Sequence, residues 1–543
     1  MKNLLFILVT LLFIDFAHAQ KWENIIGVSG RKDMSGRITE HYDHGYLICA
    51  KMKEGYANMH GWLIKTDING EVLWDKQIAV LPDKVKINKI LSDNQGNMYI
   101  FGWLLDRNFP HEFPLVLKLN ACGEKLWCRM LVFEGYEFGF FKDAMFLANG
   151  DLLGLASLEA EDYLQHDKLF LVQMSPDGEF KWKKSYASKD NHPLFANRSG
   201  ASLDKCGDYY IITGYVYSPY PNGNPTHVFL RPMFIGIDEL FREKWVVEYG
   251  IADSLLGKAE RVIAVNDTLF MGIGRYRFVE NGIMDMEAWL MFFNHKGEQV
   301  GYHTIKDEQL GSGVLESCFL EIEHIEDDKY FATASFLVDE PFNYEAGEMV
   351  IDTAGNVYNC TMDDRTWGGG ANYLQKTYDN KYILASDISQ PGQTTSNISL
   401  RKINQNLEHD TLYPGNYTYD SLCRHTIESG IIDLAGCDVI TSIGEVPTLE
   451  EYRKGLQSIP IKASPNPSGT GEVLLEYKNT ESFANLELRV TNIYGKQIHT
   501  ETVLPYQGAT RLHTHSWPTG MYIATIYSNG QVRGKCKVVV ESK

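Results

Sequence analysis

The sequence predicts an all-β chain: a seven-bladed β-propeller followed by a small, separate tail domain. Three observations carry this. A strand–turn–strand motif, first seen as Lys65-Thr66-Asp67-Ile68-Asn69-Gly70-Glu71-Val72-Leu73-Trp74, recurs along the chain with its first four tryptophans 53, 55 and 63 residues apart. A second motif, a polar turn leading into a short apolar strand, alternates with it. Each occurs seven times before about residue 413. A period of about 50–60 residues with about four short strands is the pattern of a propeller blade, which cannot bury its two faces alone and does so by stacking on its neighbours.

The elements follow in order. Residues 1–19 read as a secretory leader: Lys2 is the positive start, Leu4 to Ile14 the apolar run, and Ala17-His18-Ala19 the small-residue cleavage site. The mature chain is expected to begin at Gln20. The apolar run is too short to span a bilayer, and no later segment reaches that length, so no membrane span is expected. Lys21-Trp22-Glu23-Asn24-Ile25-Ile26 repeats the tryptophan strand without a partner before it. It is expected to complete the sheet of the last blade and so tie the two ends of the ring together.

The propeller is expected over 20–420. The turn-then-strand motif runs from Asp43-His44-Gly45-Tyr46 through Gly96-Asn97-Met98-Tyr99 to Asp379-Asn380-Lys381-Tyr382. The hairpins run from Lys65 to Trp74, Leu115 to Trp127, Phe170 to Trp182 and Phe234 to Trp245, then through Gly297, Gly355 and Asn406. The second unit shows four strands, Lys86 to Leu91, Asn97 to Leu104, Pro114 to Leu119 and Lys125 to Val132. No convincing 3.6-residue apolar period appears in this region. Glycine in Asn69-Gly70, Cys122-Gly123 and Asp177-Gly178 answers a turn that needs positive φ. The tryptophan that follows is expected to pack between blades, where its ring removes much apolar area from water. The loop Tyr217 to Pro225 lengthens one repeat and either shapes a binding face or is a bare decoration. The Asp-x-x-Gly-x-x-x-Trp hairpin is similar to the repeat of quinoprotein-type and other secreted propellers, over roughly 20–415. The vicinal cysteines and Ca²⁺-binding carboxylates of the quinone enzymes have no counterpart, so their activity is not carried over.

Residues 421–460 are expected to form a linker. Nine cysteines in an exported chain allow disulfides, with at least one left over. Cys423 and Cys437 are the expected pair, closing a loop of about 15 residues worth roughly 3 kcal/mol. Cys122 and Cys128 flank a turn and form an alternative bridge. Cys49, Cys206, Cys318 and Cys360 read as small core residues. The segment Ser421-Leu422-Cys423 to Cys437-Asp438-Val439 resembles one common between propellers and tails in exported Bacteroidetes-type proteins. Thr448 to Arg453 reads as a short helix or plain linker.

The tail, 461–543, opens on Ala463-Ser464-Pro465-Asn466-Pro467. With Leu486 to Val490, Asn492-Ile493-Tyr494-Gly495-Lys496, Thr519-Gly520-Met521-Tyr522 and the closing strand Lys535-Cys536-Lys537-Val538, it resembles the C-terminal sorting domain of the type IX secretion system. The resemblance implies a small Ig-like β-sandwich. It makes Pro465, Asn466, Pro467, Gly495, Gly520, Tyr522, Lys535 and Lys537 the sorting motif, and the outer-membrane translocon and its sorting machinery the partner. It also implies a secreted or cell-surface destination. Cys536 departs from the usual pattern and is expected to be buried.

A net charge of −19 without a basic cluster disfavours nucleic acid and anionic membrane surfaces. No nucleophile elbow, zinc helix or phosphate loop is present, and no cofactor or metal is expected. His513-x-His515 shares a strand face but has no third ligand. Asp67-x-Asn69-Gly70 reads as a hairpin turn rather than a Ca²⁺ loop, because its glycine comes too early. Glu316 and Glu321 form a glycosidase pair only if they converge in space. The loop Asp363-Asp364-Arg365, with Trp367, is a candidate ligand-face loop. The expected role is a non-enzymatic binding or interaction scaffold for an unknown surface, glycan or protein ligand. The alternative is a secreted hydrolase or lyase on polysaccharide or peptide. Clustered carboxylates at the axial mouth would favour the enzyme, and an apolar or aromatic-lined mouth would favour binding.

Overall fold

The computed structural model describes residues 21–541 except 55–57, 80–83, 106–111, 134–135, 161–167, 187–193, 196–201, 220–227, 250–255, 281–282, 312, 339–342, 367–371, 390–394, 441–458, 470, 478–485, 494–495, 504–507 and 529–530. The expected leader, the helix-or-linker at 448–453, the tip of the 217–225 loop, Trp367 and Gly495 therefore lie outside the described residues. The chain divides into two compact units, 1–445 and 446–543. Among the described residues no helix is long and apolar enough to cross a membrane.

The first unit is a ring of seven antiparallel blades. Blade 2 is typical: Lys84–Ser92 lies innermost, then Met98–Leu105, Glu112–Leu119 and Lys125–Leu131 outward, each paired to the next. Blades 3, 5 and 6 repeat this over Tyr136–Tyr186, Leu256–Thr304 and Val314–Asp363. Blade 1 has a divided inner strand, Lys32–Met34 and Ile38–Glu40, and blade 4 has Leu194–Phe195 and Leu203–Cys206 in that place. Blade 7 draws only Asn372–Lys376, Tyr382–Ile388 and Asn397–Ile403 from its own repeat. Its fourth strand is Glu23–Ile26, paired antiparallel from Glu23 opposite Arg401 to Ile26 opposite Ile398. The expected closure is thus present. Blade 7 also meets blade 1 directly: the Tyr378 amide donates to Glu40 Oε2 at 2.8 Å, and the Tyr378 and His44 rings lie 4.0 Å apart.

The turn that follows the third strand of each blade explains its own sequence. In six of the seven turns the first residue is Asp or Asn, whose side-chain oxygen accepts two backbone N–H bonds. Asp67 Oδ1 takes those of Asn69 and Glu71 at 2.8 Å each, and Asp352 Oδ1 those of Ala354 and Asn356 at 2.9 and 2.8 Å. Asn120, Asp238, Asn294 and Asn404 do the same, and Ser175 accepts one such bond in blade 3. These side chains cap turns. The glycine in fourth place has a double cause. Gly70, Gly123 and Gly178 have φ of 81°, 66° and 82°. Each also faces the tryptophan of the preceding blade: a Cβ would lie 2.7 Å from Trp22 at Gly70 and 2.9 Å from Trp127 at Gly178. The indole N–H then donates to a turn carbonyl of that next blade, from Trp22 to Ile68 at 2.8 Å and from Trp245 to His295 at 2.9 Å. Tryptophan and glycine are two halves of one contact that recurs at four of the seams between blades. In blade 4, where the glycine is lost, Phe241 at φ 57° packs tilted against Trp182 instead, 4.7 Å between centroids.

The core is accordingly a series of clusters, each between two successive blades. Trp22, Tyr46, Ile48, Ile64, Ile383 and Leu400 fill the seam between blades 7 and 1. Similar clusters join blades 3 to 4 and 5 to 6.

Residues 421–440, expected as a linker, form a strap on the outside of the ring. Gly430–Asp433 pairs in parallel with Lys76–Ala79 of blade 1, and Asp438–Ile440 with Arg129–Leu131 of blade 2. Its Leu434, Cys437 and Val439 are fully buried. The cysteine pairing differs from expectation: Cys122 bonds Cys423 and Cys128 bonds Cys437, with Cα separations of 5.1 and 5.0 Å. Neither Cys423–Cys437 nor Cys122–Cys128 forms, because the two members of each pair lie on the same side of the strap–blade junction. Cys49, Cys206 and Cys318 are free and buried, as the sequence implied, while Cys360 is half-buried.

The second unit packs a three-stranded sheet (Ile461–Ser464, Glu472–Tyr477, Gly508–His513) against a four-stranded one (Gln497–Val503, Leu486–Asn492, Gly520–Ser528, Gln531–Val540). Leu475, Leu488, Val490, Tyr522, Ile526 and Val538 are among the residues that fill the space between them.

Candidate functional site

The inner strands converge on the ring axis, and their irregularities decide what lies there. Register shifts fall between Ile87 and Lys89, Phe141 and Asp143, Ala259 and Arg261, and Phe319 and Glu321. A bulge inserts one residue and re-aims the side chain after it. It also makes residues three apart face the same way, where a regular strand would alternate. The result is a charged layer drawn from six blades. Arg37 Nη1 is 2.5 Å from Glu321 Oε1, and Lys89 Nζ is 2.9 Å from Asp143 Oδ1. Arg261 lies 3.0 Å from Asp143, 3.2 Å from Asp204 and 2.9 Å from Glu321. Tyr373 of blade 7 adds a seventh member, its ring 5.6 Å from the Arg37 guanidinium.

The ionisation of these groups follows from burial set against neighbours. Burial pushes the Asp143 carboxyl up, but Lys89, Arg37 and Arg261 together hold it below the ordinary carboxylate range. Burial works against the charge on Arg261, yet Asp204, Glu321 and Asp143 keep its guanidinium above its ordinary value. Asp204 and Glu323 go the other way: burial raises both, beyond what Arg261 offsets. Tyr373 is pushed up to about 12, again by burial.

One layer above, three residues earlier on the inner strands of blades 1, 2 and 3, lies a pocket of about 200 Å³ shared by these three blades. Met34, Met59, Trp103 and Phe140 give it apolar and aromatic walls, and Lys51, Lys86 and Glu112 bring charge to it. It sits where inner strands begin and second strands end, on the face that carries the connections between blades.

The residues singled out from the sequence fall elsewhere. Asp363 ends the outermost strand of blade 6 and is buried there. Arg365 grips it with two bonds of 2.8 Å and reaches Glu23 of the closing strand at 2.6 Å. Arg401 of blade 7 lies 3.7 Å from Asp363 and 2.6 Å from Glu348. Asp363 and Arg365 are thus a clamp at the outer rim of the closing seam, away from the axial mouth, and Asp364 is exposed beside it. Glu316 is bonded by the Tyr344 hydroxyl at 2.6 Å and Glu321 by two arginines, so each carboxylate is separately engaged. His513 rests 3.3 Å from Glu472. Reasoning from sequence missed Arg37, Lys89, Asp143, Asp204 and Arg261. Their signal was a charged residue inside the inner strand, or for Arg37 in the break between its two pieces, out of step with the apolar alternation.

In the tail, Asn466 stands between two prolines and uses its whole amide. Its Nδ2 donates to the Lys537 carbonyl at 2.7 Å, and its Oδ1 accepts the Val539 N–H at 2.8 Å. Tyr522 is buried, with its hydroxyl donating to the Pro518 carbonyl at 2.6 Å. Residues 462–541 match the family model of the secretion system C-terminal sorting domain. The sorting domain indicates export, to the cell surface or the surrounding medium, and engagement of the type IX machinery. Within it, Pro465–Pro467 is fastened by Asn466 to the last strand, whose Lys535 and Lys537 are exposed and whose Cys536 is half-buried. No curated protein matches the chain. Among solved structures it is similar to the polysaccharide lyase Uly1 (10% identity, TM-score 0.40, covering 72% of this chain and 94% of that one). It is also similar to the β-propeller domain of the Trilobed protease from Pyrococcus furiosus (8%, 0.37, 74% and 98%) and to Drosophila Plexin A in complex with Semaphorin 1b (9%, 0.38, 71% and 87%). At these scores the likenesses say nothing about what the chain binds.

Proposed function

We propose that the chain is an exported ligand-binding propeller, delivered by its sorting domain, whose ligand enters at the axial mouth. The observation that carries this is the aromatic-walled pocket standing above an axis already filled by ion pairs. A glycosidase needs two carboxylates that face the scissile bond across an open cleft. Asp143, Asp204 and Glu321 are instead held by Arg37, Lys89 and Arg261. Pockets of this kind, apolar with a few placed polar groups, are the usual form of a binding site. The test is to present the mature protein to arrays of glycans, peptides and proteins. A ligand is expected whose affinity falls about tenfold or more in Trp103→Ala, roughly 1.4 kcal/mol. Turnover of a polysaccharide or peptide by the purified mature chain would establish the hydrolase or lyase alternative instead.

A further inference from the structure

The mouth pocket runs against the charge of the molecule. The chain carries −19 overall, yet two of the three charged side chains at the pocket are lysines, Lys51 and Lys86. Lys142 lies 4.6 Å from the ring of Phe140 in its wall. In the layer beneath, Lys89 and Arg37 are paired with Asp143 and Glu321, so the positive excess at the pocket rests on Lys51 and Lys86. A cation-lined hollow within a low-dielectric wall focuses the field on anions. Lys51 adds a second feature. Among the described residues no hydrogen bond or ion pair holds its ammonium. Burial draws its proton affinity down and Asp387 only partly restores it.

We infer that the mouth pocket takes a ring of an anionic polysaccharide, a sugar bearing a carboxylate or a sulfate group. The inference rests on the reading of the chain as a ligand-binding propeller. Trp103 supplies a flat apolar face that suits the C–H face of a pyranose, with Phe140 buried in the wall behind it, while Lys51 and Lys86 supply donors for its anionic substituent. Glu112 supplies acceptors for hydroxyls. A single carboxylate beside two ammonium groups is the wrong set for a hard cation, which takes six or more oxygens. An acidic peptide would be expected to use a sheet edge for its backbone, and the strands that border this pocket are paired within their blades.

The test is calorimetric titration of the full mature chain with oligogalacturonate, the same oligomer after carboxyl reduction, dextran sulfate, plain dextran and poly-glutamate. One anionic glycan is expected to bind about tenfold or more tighter than its neutral counterpart, with affinity falling as salt is added. Which of the two binds separates carboxylate from sulfate. Lys51→Met and Lys86→Met are each expected to weaken it about fivefold or more without lowering the melting temperature, and Lys51→Arg to retain it. Neutral glycan or poly-glutamate binding as tightly would overturn the inference and leave the binding propeller standing. No binding of either anionic glycan, or binding indifferent to both lysine changes, would also overturn it. A blank result on the wider arrays would remove the binding reading itself.

Discussion

Asp143 shows how much a single buried residue can hold in place. It receives Lys89 and Arg261 directly, and the backbone N–H groups of Ala144 and Leu203 also donate to it at 2.9 and 3.2 Å. Its side chain is fully buried, so removing its charge leaves Lys89 without its carboxylate and takes one of three from Arg261. Asp143→Asn is expected to cost about 3–5 kcal/mol at neutral pH, as breaking a buried pair from one side does. Because the folded carboxyl titrates below its unfolded value, that stability is present above about pH 4 and drains away as pH falls toward the folded value. Glu323, one step deeper on the same axis, has the opposite sign. Its folded carboxyl titrates above the unfolded one, so the stability it contributes is full below about pH 4 and is lost as pH rises through the folded value. Glu323→Gln is therefore expected to raise the melting temperature at pH 7 and to match the parent near pH 4. Thermal melts across that range check both, and a lower melting temperature for Glu323→Gln at pH 7 would contradict the assignment.

The Trp–Gly contact recurs at four seams between blades, and two glycines of blade 3 measure it. Gly178 and Gly150 have nearly the same φ, 82° and 83°. A Cβ at Gly178 would meet Trp127 at 2.9–3.1 Å, while at Gly150 nothing lies within 4 Å. Alanine at Gly150 is expected to cost only the left-handed backbone, about 1–2 kcal/mol. At Gly178 it also displaces the indole, for about 1–3 kcal/mol more. Equal losses in denaturant titrations would mean that the tryptophan contact contributes nothing. The same contact explains what was legible in the sequence. Turn, glycine and tryptophan are local and sit at fixed offsets, so they betray the blade even where other positions drift. The axial residues are not local in that sense. A bulge before Lys89, Asp143, Arg261 and Glu321 breaks the two-residue alternation that sequence reading relies on. Four blades must also meet before Arg37, Glu321, Arg261 and Asp143 are neighbours. The Asp363–Arg365 loop was singled out for its unusual composition, but its role depends on Glu23, more than three hundred residues earlier, which only ring closure brings near.

The same closure governs the cysteines. In the open chain Cys423 is nearest to Cys437, and loop entropy alone favours that local bridge. Once blade 7 is completed by Glu23–Ile26, however, the chain leaves it beside blade 1 and runs on to blade 2. It is held along the way by Trp74 Nε1 donating to Asp420 at 3.1 Å and by Ile68 N donating to the Tyr419 hydroxyl at 2.9 Å. Cys423 then meets Cys122 and Cys437 meets Cys128, across 301 and 309 residues. In the chain-entropy model a first cross-link of that span limits the unfolded state by about 5–6 kcal/mol, and the second closes a much shorter remaining loop for about 3. The strap also covers the outer edges of blades 1 and 2, which would otherwise present unpaired backbone to other chains. Peptide mapping without reductant is expected to recover Cys122 with Cys423 and Cys128 with Cys437. The variant lacking all four thiols is expected to melt several degrees lower and to self-associate as the strap detaches. Recovery of Cys423 joined to Cys437 would mean that the strap does not lie along the rim, and the two-fold fastening of the ring would fall with it.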